Sequence, residues 1–176
     1  MFIAQKLKKE NICEYLLYMW QTEDILRASQ LDIDKVNETI VQRYKSLTEA
    51  EKKQLYEWYE SLMDMMRREN LQHSGHLQMN KNTLSEITEF HNELLKSGKK
   101  PSYNATYYAL TADLLDLRKK SEPAAGDIEL CLNFMYGIII LKLKNQEITE
   151  QTLDIQKSIS GFLQQLALNF NLYKNG

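Results

Sequence analysis

Apolar residues recur every three or four positions along most of this chain, which is the spacing of one buried face of an α-helix. The segment over residues 33–47 shows the pattern plainly, with one face made of Ile33, Val36, Ile40, Tyr44 and Leu47. The tight turns and bulges of β-sheets draw on glycine and proline, and the 176 residues contain only six glycines and two prolines. The pattern therefore predicts an all-α fold.

Clusters of Gly, Pro, Asp, Asn and Ser mark where the predicted helices end. They divide the chain into seven segments, and the sequence shows neither an internal repeat nor a linker long enough to separate two domains. We therefore predict a single all-α domain over residues 1–176, an irregular bundle of about six or seven helices. The breaks fall at Leu31–Asp34, Ser46–Thr48, Gln72–Asn82, Ser97–Ser102, Ser121–Gly126 and Asn145–Thr149.

Two residue pairs have the spacing of a capping box, in which a Thr and a Glu three positions later each bond the other's backbone N–H. Thr48 with Glu51 precedes the third segment, and Thr83 with Glu86 precedes the fourth. We therefore expect helices to begin just after Thr48 and just after Thr83.

The run Gly137–Leu143 is ambiguous, because β-branched residues in a short apolar stretch are typical of either a buried strand or a buried helix. No other stretch has a comparable β signal, and a strand without a partner would leave its backbone groups unsatisfied. We therefore predict the central helix here, with Gly137 allowing another helix to approach closely.

The composition is that of an ordinary globular domain. Hydrophobic residues make up 43 % of the chain, charged residues 26 %, and the formal net charge is −2. These values argue against disorder and against a nucleic-acid partner. Cys13 and Cys131 lie in apolar runs, where a thiol behaves as a small hydrophobic group, so we expect both to be reduced core residues.

No segment of the sequence predicts a membrane span or an export signal. The longest apolar run, Ile128–Leu141, is shorter than the ~20 residues that a membrane-spanning helix requires. The stretch Ile12–Trp20 follows three lysines, as in a signal peptide, but Glu14 interrupts it and no cleavage site follows. We therefore expect a cytoplasmic protein with no membrane partner.

The first segment mixes large apolar side chains with polar ones. Asp24 and Arg27 are three positions apart on a helix and can pair. Glu14, Tyr18, Asp24 and Arg27 are candidate ligand-binding residues that could converge as a pocket for an anionic or amide ligand. The alternative is a partly buried polar network that fixes how this helix docks, and the sequence favours this alternative because such networks are common without any ligand.

Glu69, His73 and His76 would share one face if the third helix continued through Gly75. Metal-binding bundles use Glu-x-x-His pairs, which are absent here, and residues 70–75 resemble a helix end. We therefore predict no metal site. His91 lies alone on an apolar face and is predicted to be a core histidine with one hydrogen-bond partner.

Common catalytic signatures are missing from the sequence. It contains no G-x-S-x-G elbow, no glycine-rich phosphate loop, no H-E-x-x-H and no C-x-x-C. This favours a non-catalytic protein over an enzyme, and we predict no cofactor.

Aromatic residues are abundant on the first and third segments. Their spacing points them in several directions around each helix, so some are expected to form the edge of a wide core and others to meet solvent, a ligand or another copy of the chain. They include Tyr15, Tyr18, Trp20, Tyr56, Trp58 and Tyr59. A homodimer through these aromatic helix faces is one prediction.

Three stretches resemble a known family: MFIAQKLKKENICEYLLYMWQTEDILRA at the start, and later LRKK and LCLNFMYGIIILKLK. Together they are similar to an all-helical family of unknown function from Bacteroidetes bacteria, over nearly the full chain. The resemblance implies a bacterial, cytoplasmic, stand-alone helical domain, and it implies no activity, cofactor or catalytic residue.

Two hypotheses about function follow. The leading one is a non-catalytic interaction or scaffold domain that acts through helix-face packing. The alternative is a small-ligand-binding domain or enzyme with a polar pocket between helices, built on the first helix and binding a ligand of unknown identity.

Overall fold

A computed structural model describes residues 1–119 and 125–175. Within these ranges the chain forms nine α-helices and no strand, so the all-α prediction is confirmed. A short 3-10 turn, Val41–Arg43, lies between α3 and α4. The helices are α1 (Phe2–Glu10), α2 (Ile12–Ala28), α3 (Ile33–Thr39), α4 (Glu49–Arg68), α5 (Gln78–Ser97), α6 (Pro101–Ala109), α7 (Thr111–Arg118), α8 (Asp127–Leu143) and α9 (Glu150–Asn175).

The described helices outnumber the predicted six or seven because two predicted segments each divide in two. At Asn11 the side-chain oxygen accepts hydrogen bonds from the backbone N–H groups of Cys13 and Glu14, both at 3.2 Å, and starts α2 anew. At Leu110 the backbone N–H bonds the Tyr107 carbonyl, a tight turn that ends α6 just before α7. In both cases the helix is interrupted by hydrogen bonds at the break itself, at Asn11 and at Leu110, although the apolar residues around it keep their helical spacing.

Several helix ends follow the local signals in the sequence. Thr48 and Glu51 form the complete capping box at the start of α4, as predicted. Asn70 and Asn145 adopt left-handed backbone conformations after α4 and α8, with φ of 57° and 53°. Each is followed by a Schellman hydrogen bond, for example from the Leu71 N–H to the Met66 carbonyl. Of the predicted break at Ser121–Gly126, residues 121–124 lie outside the described residues.

The contacts group the chain into two compact units that interleave in sequence. The first contains Met1–Lys6 and Tyr18–Asn82, and the second contains Leu7–Leu17 and Thr83–Gly176. Helices α1, α2 and α5 each contribute residues to both units. The prediction of a single domain over residues 1–176 stays a prediction.

The core of the first unit is built on one face of α4. Its buried positions repeat at helical spacing and include Leu55, Leu62 and Met66. Helix α3 packs against α4 and buries Val36, and the 3-10 turn buries Val41. Of the second segment's predicted apolar face, only Val36 is buried. Ile33, Ile40 and Leu47 are half-buried and Tyr44 is exposed, because α3 ends at Thr39, earlier than the pattern indicates.

The core of the second unit is built on α8 and α9. Helix α8 buries Ile128, Leu130 and Leu132 in its first half. Helical spacing predicts an apolar face of the seventh segment, now α9, and all of its members are buried except the half-buried Ile155. This face consists of Ile155, Ile159, Phe162, Leu166 and Phe170. Helix α6 packs on α9, and α7 packs on α8. Cys13 and Cys131 are both buried and unbonded, as predicted. Burial raises the pKa of the Cys131 thiol to about 12, so this thiol stays protonated at neutral pH.

The ambiguous run Gly137–Leu143 belongs to α8 and is helical, as predicted. The expected role of Gly137 is wrong, however, because this glycine is exposed. A Cβ atom placed there would have no described atom within 4 Å. No helix among the described residues approaches closely at this glycine, and Leu143 at the end of α8 is largely exposed.

Among the residues described, no helix has both the length and the apolar character needed to cross a membrane.

Candidate functional site

The side chain of Glu23, in the first unit, is completely buried. Its Oε1 accepts hydrogen bonds from the Leu77 backbone N–H at 3.0 Å and from Asn80 Nδ2 at 2.7 Å. Its Oε2 lies 2.6 Å from His76 Nδ1, and the His76 ring stacks on Trp20 with 4.4 Å between ring centroids. A buried carboxylate with three hydrogen-bonding partners fixes α2 against the start of α5.

This network corrects the predicted start of the fourth helix. Helix α5 begins at Gln78, so Thr83 lies inside the helix and does not cap it. Glu69 accepts a hydrogen bond from the Gln78 N–H at 2.7 Å, and Glu23 accepts the one from Leu77. Two carboxylates distant in sequence therefore satisfy the first N–H groups and the positive end of the helix dipole.

Arg27 holds the loop that leads into α5. Its Nε donates to the Leu71 carbonyl at 3.0 Å, and its Nη2 donates to the Gly75 carbonyl. Its Nη1 pairs with Asp24 at 2.5 Å, as the spacing predicts. All three nitrogen atoms of the guanidinium thus have protein partners, and the side chain is positioned to hold the loop.

The structure places the four predicted ligand-binding residues as follows. Asp24 and Arg27 are together in the ion pair just described. Tyr18 lines a different cavity of the first unit, of about 160 Å³, with Tyr44 and Leu55. Glu14 belongs to the second unit and lines a groove of about 240 Å³ with Ser160 and Gln164. A ligand-binding role for these residues stays a prediction.

The histidines near the end of α4 occupy separate environments. Helix α4 ends at Arg68, as the residues 70–75 predict, so Glu69, His73 and His76 do not share a helical face. His76 bonds Glu23, Glu69 caps α5, and His73 is exposed. Within residues 1–119 and 125–175, no three His, Cys, Asp or Glu side chains are grouped so that they could hold a metal ion.

His91 is a buried core histidine of the second unit, and this prediction is confirmed. Its Nδ1 lies 2.6 Å from the Tyr103 hydroxyl, and its ring packs edge-on against Tyr107 and Phe162. Burial lowers the pKa of His91 to about 4, an effect that the Asp127 carboxylate partly offsets. The imidazole is therefore neutral at physiological pH.

The aromatic residues of α2 and α4 form little exposed surface. Tyr15, Trp20 and Tyr59 are buried, and the other three, Tyr18, Tyr56 and Trp58, are half-buried. These aromatic side chains therefore belong mainly to the core, which is one of the two roles expected for them. A homodimer through these faces would have little free aromatic area to use.

The outward face of α9, in the second unit, exposes both apolar and small residues. Leu153, Leu168 and Leu172 are 42 %, 59 % and 60 % exposed. Between them, Ser160 and Gly161 line a groove of about 570 Å³, and a Cβ at Gly161 would meet no described atom within 4 Å. We call this surface the α9 outward face, and define it by Leu153, Lys157, Ser160, Gly161, Gln164, Leu168 and Leu172.

The Glu23 network and the α9 outward face each have a signal in the sequence that our prediction missed. Glu23 is spaced three and four positions from Trp20, Met19 and Leu26, all buried, so it is a charged residue on an apolar stripe. Leu153, Leu168 and Leu172 lie outside the predicted apolar face of the seventh segment, so the pattern indicates that these leucines are exposed. The partners of Glu23 could not be identified, because they lie more than fifty residues away.

Comparison with known proteins identifies a family and no activity. A family model described as a domain of unknown function (DUF4924) matches residues 1–176. No curated protein and no solved structure matches the chain. The family assigns no ligand, partner or reaction, so function has to be argued from the geometry.

Proposed function

The chain belongs to the family described as a domain of unknown function (DUF4924), and from its geometry we propose a non-catalytic interaction domain that forms a homodimer through the α9 outward face. The observation that carries this proposal is the set of exposed leucines on that face, with small residues between them. Side chains of this kind on an exposed helix are typical of a packing surface.

The α9 outward face is complementary to itself. Leu153 and Leu168 lie at equal sequence distances on either side of the Ser160–Gly161 pair. An antiparallel two-fold arrangement therefore places Leu153 of one copy opposite Leu168 of the second copy and brings the two small pairs together at the crossing point. A two-fold interface requires this kind of self-matching surface.

The polar residues of the face also suit this arrangement. Lys157 and Gln164 are equidistant from the same crossing point, so each lysine of one copy faces the glutamine of the other. The lysine donates and the glutamine oxygen accepts, and no like charges are opposed. Residues at steps of four along the face match the ridge spacing of the commonest helix-packing class. Helix α9, with 26 residues, is about 39 Å long.

Sedimentation equilibrium across the micromolar range tests the proposal. We expect the full chain to form a dimer and Leu168→Glu to weaken the dimer more than tenfold, because a carboxylate would be buried without a partner. Leu115→Glu is the matched control, since Leu115 is equally exposed on α7 and lies outside the face. A protein that stays monomeric throughout, or a Leu115→Glu variant that dissociates as readily as Leu168→Glu, would refute the proposal.

A further inference from the structure

The second unit contains a groove of about 440 Å³, which is within the usual size range of small-molecule sites. It lies where the end of α1 and the start of α2 meet the last turns of α9. Three lysines line it, Lys8, Lys9 and Lys174, and Ile12 and Phe170 contribute apolar surface. We call it the lysine groove.

The lysine groove carries an excess of positive charge. Glu10 is its one acidic lining residue among those described, against three lysines. The carboxyl ends of α1 and α9 each add the equivalent of roughly half a negative charge. Lys174 is paired with Glu86 outside the groove, and the start of α2 adds roughly half a positive charge, so the remaining excess of positive charge is small and depends on Lys8 and Lys9.

Two of the three ammonium groups are positioned by aromatic rings. Lys174 Nζ lies 5.5 Å from the centroid of the Phe170 ring, and Lys8 Nζ lies 5.4 Å from that of Tyr15. Such cation–π contacts hold a long side chain in place without using its capacity to bind an anion. Asn171 also lines the groove, and its amide nitrogen adds a neutral donor.

We propose that the lysine groove binds a small organic anion, with its charged group between the lysines and its apolar body against Phe170 and Ile12. The charge at the rim selects an anion, and the apolar floor selects one with a hydrocarbon or aromatic part. This inference is independent of the proposed dimer, because none of the lysines belongs to the α9 outward face.

Fluorescence titration with 1-anilinonaphthalene-8-sulfonate tests the proposal, because this probe combines a sulfonate with an aromatic body. We expect one saturable site per chain, displaced by decanoate. An equal concentration of inorganic phosphate, which lacks an apolar part, should not displace the probe. Displacement by phosphate as readily as by decanoate would overturn the assigned ligand class.

Substitutions of the groove lysines test whether the probe binds in the lysine groove. We expect the double substitution Lys8→Gln and Lys9→Gln to weaken binding by about tenfold, through loss of charge-assisted hydrogen bonds. The matched control, Lys142→Gln with Lys144→Gln, makes the same change of net charge at the end of α8 and should bind like the original chain. Equal affinities for both doubles would overturn the proposal.

Two further variants separate the groove from other surfaces. Asn171→Trp places an indole in the groove and should abolish probe binding, while thermal unfolding shows whether the chain still folds. Leu168→Glu alters the α9 outward face and should leave probe binding unchanged even if it alters the oligomeric state. Loss of binding in Leu168→Glu alone would assign the probe to the outward face and refute the lysine groove.

Discussion

Single buried polar residues determine local structure in both units. Glu23 and His91 are each enclosed by apolar neighbours, and each has hydrogen-bonding partners from other segments. Their effects on stability differ in kind, because Glu23 provides acceptors to several donors whereas His91 must stay neutral to be buried. The two residues therefore call for different measurements.

Replacing Glu23 by Gln should lower the free energy of unfolding by about 3 kcal/mol. The new amide group turns one acceptor into a donor, so it faces either the Leu77 N–H and Asn80 with the wrong polarity or His76, which must then accept at Nδ1. In both cases the negative charge 3.9 Å from Arg27 Nη2 is lost. Urea denaturation measures the change. Glu14→Gln is the same substitution at an exposed position, and it should change stability by no more than about 0.5 kcal/mol. Similar losses for both variants would show that the Glu23 network contributes little.

His91 should make stability depend on pH. Its pKa is lowered to about 4 in the folded protein from 6.5, so the unfolded chain binds the proton more tightly. The stability that the neutral His91 side chain contributes is complete above the unfolded-state pKa of 6.5. It is lost as the pH falls toward the folded-state pKa of about 4. We expect a loss of about 2 kcal/mol between about pH 7.5 and about pH 5 from this residue.

Urea denaturation of His91→Gln at several pH values isolates this effect. The variant should be less stable at neutral pH yet lose less stability on acidification than the original chain. His73→Gln removes an exposed histidine and should keep the original slope. Parallel pH profiles for the original chain and His91→Gln would contradict the assignment.

At the scale of elements, helix ends differ in what specifies them. The start of α4 is fixed by Thr48 and Glu51, which are close in sequence, and the end of α4 is fixed by Asn70. The start of α5 depends on Glu23 and Glu69, which local sequence patterns cannot connect to Gln78. Both ends of α4 were predictable because their partners are local, whereas the start of α5 was not.

Gly161 is expected to affect the helix and the proposed dimer in opposite directions. Gly161→Ala should raise the free energy of unfolding of the monomer by about 0.5–1 kcal/mol, because alanine favours a helix and its Cβ meets no described atom. The same Cβ should weaken the dimer at its crossing point. Thermal unfolding of a dilute sample measures the stability of the monomer, and sedimentation equilibrium measures the affinity of the dimer.

Gly137→Ala provides the matched control for this substitution. Gly137 is also an exposed glycine inside a helix, and its added Cβ likewise meets no described atom. The variant should gain similar stability and keep the original dimer affinity. A Gly161→Ala protein that dimerises as well as Gly137→Ala would place the crossing point elsewhere.

At the scale of the whole molecule, the helical class and most breaks between helices could be predicted because they depend on spacing and capping residues. The buried face of α9 followed from the same spacing. The partners of the polar side chains could not be predicted from spacing and capping residues. Tyr18 and Arg27 are close in sequence on one helix yet line different surroundings, because neighbours from distant segments decide what each side chain meets.

The interleaving of the two units also bears on how such a chain can change during evolution. Each unit draws residues from two separate stretches of sequence, since Leu7–Leu17 belongs with Thr83–Gly176. A gene fragment that ends at residue 82 would include all residues of the first unit, but one that starts at residue 83 would lack Leu7–Leu17 of the second unit. A single recombination event near residue 83 would therefore separate Leu7–Leu17 from the rest of the second unit, and we expect fusion partners to be joined at the chain ends.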